Sequence, residues 1–142
     1  MPSLGIEYAR TVKSSGTFDM PDNFLLWSPT CHHKQMIEYG EKFVELKPRH
    51  SHMSLFYVWG HSYEFENDGN WDLVEQFGKL LGGRDEIWYA TNAEIVEYKR
   101  ALDRLRFSVS GGLVNNPSAQ AVWVSVEGTP VEIPGGSTIR IG

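Results

Sequence analysis

Leu55-Phe56-Tyr57-Val58-Trp59-Gly60, followed at once by His61-Ser62-Tyr63-Glu64-Phe65, is the stretch from which the chain is best read. The apolar run is too short for a typical helix and rich in aromatic residues. It suits a strand buried on both faces, the kind found in parallel sheets. His61 then falls at the carboxyl end of a parallel strand, the edge where α/β folds bind ligands and barrels project catalytic side chains. Gly60 permits close backbone approach, and Ser62, Tyr63, Glu64 and Glu66 add polar groups. The competing reading of His61 is a strand-end histidine that only bonds a backbone carbonyl.

Downstream, Asn70 is a good N-cap for a helix carrying Trp71, Leu73, Val74, Phe77, Leu80 and Leu81, with Gly82-Gly83 as its stop. Glu86 to Ala90 reads as a strand. Thr91 with Glu94 is a capping box, and Ile95, Tyr98, Leu102 and Leu105 form the stripe of a further helix. Residues 55–105 thus predict strand-helix-strand-helix with a right-handed parallel crossover. Upstream, Leu4 to Ala9 alternates like a strand, residues 13–23 are loop-like, and Phe24 to Trp27 is an apolar patch before a Ser28-Pro29-Thr30 turn. Met36, Tyr39, Phe43 and Leu46 define a helix over Gln35 to Lys47 that Pro48 ends. After Leu105, short strand candidates at 107–109, 113–114, 121–126 and 131–133 alternate with Gly, Asn and Pro turns.

The chain has 142 residues and a formal net charge of −5, which suits one domain and argues against a nucleic-acid binder, since phosphates call for a basic face. No apolar run is long enough to span a membrane, and Met1 to Arg10 lacks a signal-peptide pattern. Cys31 is the only cysteine, so no intrachain disulfide forms and a reducing, cytoplasmic setting is expected.

All five histidines lie between residues 32 and 61. In Cys31-His32-His33, adjacent side chains on regular secondary structure cannot all face one metal, although one of them can join ligands from elsewhere. Cys-x-x-Cys, His-Glu-x-x-His and His-x-x-x-His are all missing, so a complete zinc site is not expected. His50 and His52 share a face at period two but sit in a basic stretch that reads as a solvated loop. Cys31 beside two histidines fits either an activated thiolate or, more commonly, a small buried thiol. There is no Gly-x-Ser-x-Gly elbow or phosphate-binding loop. Trp59, Trp71 and Trp88 read as core. Trp27, just before the Cys-His-His cluster, is either a stacking face for a sugar ring or a loop anchor.

Gly5-Ile6-Glu7-Tyr8-Ala9-Arg10-Thr11, Trp27-Ser28-Pro29-Thr30-Cys31-His32-His33, Leu55 to Phe65 and Ile87-Trp88-Tyr89-Ala90-Thr91-Asn92 together resemble, in order and spacing, a bacterial branch of the polysaccharide deacetylases. This is the nodulation-type chitooligosaccharide deacetylase group, carbohydrate esterase family four. The resemblance covers residues 4–105, and Trp-Gly-His-Ser-Tyr-Glu-Phe is its most specific part. It implies an α/β fold: 1–105 as the C-terminal half of a (β/α) barrel, and 106–142 as a β-rich extension.

Members of that family remove acetyl groups from sugar polymers. They use a divalent metal, usually zinc, held by one Asp and two His, with a second Asp as base and a late histidine as general acid. His61 matches the late histidine in place and context, and an imidazolium is acidic enough to protonate a departing amine. Trp27, His32, His33 and Tyr63 are the candidate substrate-binding residues around it. The paired-aspartate segment, the histidine pair and the arginine or proline-aromatic motif of the family come earlier than Gly5 and have no counterpart here. The resemblance therefore implies an acetylated carbohydrate substrate, a partner chain carrying the N-terminal half, and a zinc or other divalent site whose ligands lie elsewhere. The alternative is a non-catalytic, carbohydrate-binding descendant. In either case a half-barrel leaves strand edges to be covered, and a homo-oligomer is expected.

Overall fold

A computed structural model of the chain describes residues 4–46 and 53–142, and in it the Leu55–Gly60 run joins a parallel sheet through its last residues. Val58–Trp59 (β2) pairs in parallel with Cys31–His32 (β1), Cys31 opposite Val58 and His32 opposite Trp59. Thr30 strengthens the start of this pairing from both sides. Its N–H donates to Tyr57 O at 2.7 Å, and its Oγ1 accepts from the Tyr57 N–H at 3.1 Å. The strand predicted over Leu4 to Ala9 does not form; just beyond it, Arg10 makes a single parallel bridge with Trp27. Asn23 caps a short 3-10 turn over Phe24–Leu26, its side chain accepting from Leu25 N–H.

A helix, Met36–Val44 (α1), connects β1 to β2. The parallel crossover therefore occurs one step upstream of where the sequence predicts it, between residues 31 and 59. The predicted end of this helix at Pro48, and the pair His50 and His52, lie outside the described residues. The polar stretch after His61 is helical. It forms Ser62–Asp68 (α2), which Gly69 closes with a left-handed φ of 61°. Asp72–Leu81 (α3) follows, without the predicted cap from Asn70, whose side-chain oxygen is buried with no hydrogen-bond partner, and it packs on α1, where Gly40 lies against Leu80.

The strand predicted over Glu86 to Ala90 does not form. A strand is held by a partner's ladder, and here the segment's contacts run back to the end of α3. Tyr89 Oη donates to Leu81 O and accepts from the Arg84 N–H at 2.9 Å, while Arg84 Nε donates to Leu80 O at 2.8 Å.

The described residues divide into two compact units, 4–46 with 53–89, and 90–142. In the second, Asn92–Asp103 (α4) starts at the predicted capping box: Thr91 Oγ1 accepts from Glu94 N–H and Glu94 Oε2 accepts from Thr91 N–H. Arg106–Phe107 (β3), Leu113–Asn115 (β4) and Thr138–Arg140 (β7) form one antiparallel sheet in the order β3-β4-β7. Val122–Val126 (β5) and Thr129–Ile133 (β6) form a hairpin. Ala101 of α4 is buried with Val114, Val122 and Ile133, and Tyr98, Leu102 and Leu105 pack around them. The 1–105 and 106–142 division assigns α4 to the first segment, whereas its apolar face is buried on the strands of the second. The architecture is mixed α and β. Among the described residues no helix is long and apolar enough to cross a membrane.

Asn116 is fully buried and fully used. Its Nδ2 donates to Gln120 O (2.8 Å) and Ile133 O (3.0 Å), and its Oδ1 accepts from the Ser118 N–H and Oγ. Asn116→Ala removes a bond from the buried Ile133 carbonyl and leaves the partly buried Ser118 N–H without its acceptor, and is expected to cost on the order of 2–4 kcal/mol in urea unfolding. The β5–β6 turn runs the other way. Glu127 (φ 49°) and Gly128 (φ 82°) make a two-residue turn with positive φ at both positions, which suits Asn-Gly. Glu127→Asn is expected to stabilise the chain by roughly 0.5–1 kcal/mol.

Candidate functional site

Strand pairing and one change of backbone conformation assemble the site. β1 ends at His32, and the chain passes directly into a 3-10 turn over His33–Gln35. The strand's alternation stops there, so two successive histidines point the same way, with ring centroids 4.2 Å apart. The sequence argument against adjacent ligands assumes regular structure and does not hold at this junction. The parallel register then puts the end of β2 beside them. Trp59 meets the His32 ring edge-on at 4.9 Å, and Gly60 lies under His33. A Cβ added at Gly60 would sit 2.2 Å from His33 Nδ1, so only glycine admits the imidazole there.

Glu64 completes the group from the first turn of α2. Its Oε2 accepts from the His61 N–H at 3.0 Å, and it lies 3.3 Å from His32 Nε2 and 3.7 Å from His33 Nδ1. Partial burial pushes the Glu64 carboxyl up, but the His61 N–H bond and the two imidazoles outweigh it and hold it below its usual 4.5. His33 is 2% exposed, and neither ring nitrogen has a hydrogen-bond partner. Desolvation, then neighbouring His32, holds its pKa below the ordinary 6.5, against the pull of Glu64. Lys34 Nζ and Asp68 pair at 3.0 Å on the outer side.

A cavity of about 300 Å³ opens beside this cluster, lined by His33, Met36, Val58, Trp59, His61, Phe65, Trp71 and Phe77. His61 stands exposed at its edge, with its ring stacked on exposed Tyr63 at 5.1 Å and 15°. Trp71 is stacked on Phe65, donates its indole N–H to Glu66 at 3.0 Å, and stays about half exposed. Arg10 lies over the Trp59 ring at 4.7 Å.

Of the predicted site residues, His61, Tyr63, His32 and His33 are brought together. Trp27 is not. It is 1% exposed, enclosed by Tyr8, Phe24 and Tyr57, and offers no face to a sugar. The assignment of Trp71 and Trp88 to the core is also corrected, since they are 49% and 53% exposed. Cys31 is wholly buried and its thiol is pushed up to about 11, first by burial and then by Glu38, so it is no thiolate at neutral pH. Glu64 was not foreseen as a partner of the two histidines, although its spacing of three from His61 is a helix-start signal.

No protein-family model, curated protein or solved structure matches the chain.

Two measurements check this geometry. Gly60→Ala is expected to cost roughly 1–3 kcal/mol, because His33 is held from several sides and must shift. The second is a pH series with EDTA present. The unfolded His33 takes a proton near pH 6.5 while the folded one resists it, so stability is full above that pH and declines as the pH falls below it; Glu64 adds a loss below about 4.5. The urea midpoint followed by Trp fluorescence is expected to drop between pH 7.5 and 5.5, and to drop less in His33→Leu.

Proposed function

We propose that the cleft binds an acetylated sugar and that the chain serves a deacetylase-type hydrolase, with His61 protonating the departing amine. The observation that supports this reading is the position of His61. It stands at the carboxyl end of a parallel strand, on the rim of a cavity flanked by exposed aromatic rings. Trp71 and Tyr63 offer flat apolar faces of the sort a pyranose ring packs against. The finer fold reading, a partial (β/α) barrel, belongs to the same proposal: β1-α1-β2 is one such unit.

The resemblance implies a divalent metal held by an Asp and two His, and no residues of this chain match those motifs. When bound, such a metal polarises the amide carbonyl and activates water. What this chain's residues do is separate from that. Trp71 and Tyr63 seat the sugar, the His61 ring is oriented by stacking on Tyr63, and its imidazolium delivers a proton to the leaving nitrogen. In this proposal a partner carrying the N-terminal half supplies the metal and base.

The test is acetate release from N-acetylated chitooligosaccharides, with zinc, by the chain alone and mixed with a candidate N-terminal half. Release is expected in the mixture, falling about 10²-fold or more in His61→Ala. Release that survives His61→Ala refutes the assigned role. Saturable quenching of Trp fluorescence by the oligosaccharide without release in any mixture favours the non-catalytic, carbohydrate-binding reading.

A further inference from the structure

We infer that His32, His33 and Glu64 form a binding site for a single divalent cation of the zinc class, built entirely from this chain. Three observations converge on it. The first is composition and proximity. Among the described residues these are the His, Cys, Asp and Glu side chains that gather as a potential ligand group, with one donor atom from each lying within 4.8 Å of the others. Two imidazoles and a carboxylate are a donor set that zinc takes readily.

The second is spacing. Two donors about 2.0–2.1 Å from a tetrahedral zinc lie about 3.3–3.5 Å from each other. Glu64 Oε2 is 3.3 Å from His32 Nε2 and 3.7 Å from His33 Nδ1. The His32 and His33 donors lie within 4.8 Å of each other, so a cation among the three also draws the two rings together.

The third observation is His33 itself. It is buried with two unpartnered ring nitrogens, a state that costs free energy unless something else satisfies it. Glu64 Oε2 at 3.7 Å is beyond hydrogen-bond reach of Nδ1, and a cation would meet both. Gly60 gives Nδ1 the room to be there.

Binding has one local cost. His32 Nδ1 accepts a long bond of 3.4 Å from the Lys34 N–H, which places the neutral ring's proton on Nε2. Ligation through Nε2 moves that proton to Nδ1 and gives up this bond. Three protein donors match the count of zinc sites that keep a position open, in contrast to the four of closed structural sites. The site lies at the same cavity as His61 but stands or falls apart from the proposed hydrolase activity, because it is read without any sugar.

The test uses the purified full chain stripped with EDTA and titrated with Co²⁺, then Zn²⁺. Expected is one equivalent of Co²⁺ with visible ligand-field bands, displaced by one equivalent of Zn²⁺. His33→Ala risks misfolding at a buried position, so Glu64→Gln and His32→Asn carry the test, with circular dichroism as the fold control. Each is expected to weaken zinc at least about tenfold, since loss of even an outer-shell partner costs about 10–100-fold. The double variant His50→Gln/His52→Gln is expected to bind as the parent does. Failure to take up one equivalent at micromolar metal overturns the inference. So does uptake that is unchanged in both Glu64→Gln and His32→Asn, or that is lost only in the His50/His52 double variant.

Discussion

The contact between the His33 imidazole and the bare Cα of Gly60 holds the first unit's functional end together. It needs three things at once: a parallel register that sets β1 beside β2, a 3-10 turn immediately after His32, and a residue without Cβ at the end of β2. Given these, His32 and His33 face Glu64, and His61 is delivered to the rim of the cavity. The same few hydrogen bonds that start α2 fix Glu64, because its carboxylate accepts the His61 N–H. Fold and site therefore share their constraints over only a few residues of sequence.

Burial decides which of the polar groups can act. Cys31, one residue from His32, is enclosed and its thiol stays protonated at neutral pH. His33 is just as enclosed, but burial there favours the neutral imidazole, which is the form that ligates a metal. His61 and Tyr63 are exposed and free to meet a ligand. The order along the cleft runs from a buried imidazole, through a partly covered carboxylate and imidazole, to an exposed histidine.

Elements with a strong local code were legible in the sequence. The 3.6-residue stripe of α1, the capping box of α4 and the Glu127-Gly128 hairpin turn all lie where the residues place them. The parallel pairing of the Leu55–Gly60 run was legible too, though only Val58–Trp59 pair and the run is half-buried rather than covered on both faces; its partner was not legible. Partner choice is a tertiary matter, and Cys31-His32 carries no strand pattern of its own. The same reason removes the strand at 86–90, a short apolar run that finds no strand partner among the described residues and whose Tyr89 hydroxyl instead bonds back to Leu81 and Arg84 at the end of α3. At the site, His61 lies past the end of a parallel strand and beside the cavity, where its place in the sequence puts it. The pairing of His32 with His33 was missed because a strand-to-3-10 junction breaks the periodicity on which the argument rested. Trp27 misled for a complementary reason: a tryptophan in a loop is exposed only if neighbouring rings do not close over it, and Tyr8, Phe24 and Tyr57 do.

The central claim is that the ends of β1 and β2 and the start of α2 converge on one cation-sized point. Anomalous diffraction at the zinc edge from crystals grown with stoichiometric zinc tests it most directly. The account predicts a single strong peak about 2.0–2.2 Å from His32 Nε2, His33 Nδ1 and a Glu64 carboxylate oxygen. Density at full zinc occupancy elsewhere on the chain, with none between these three side chains, would contradict it.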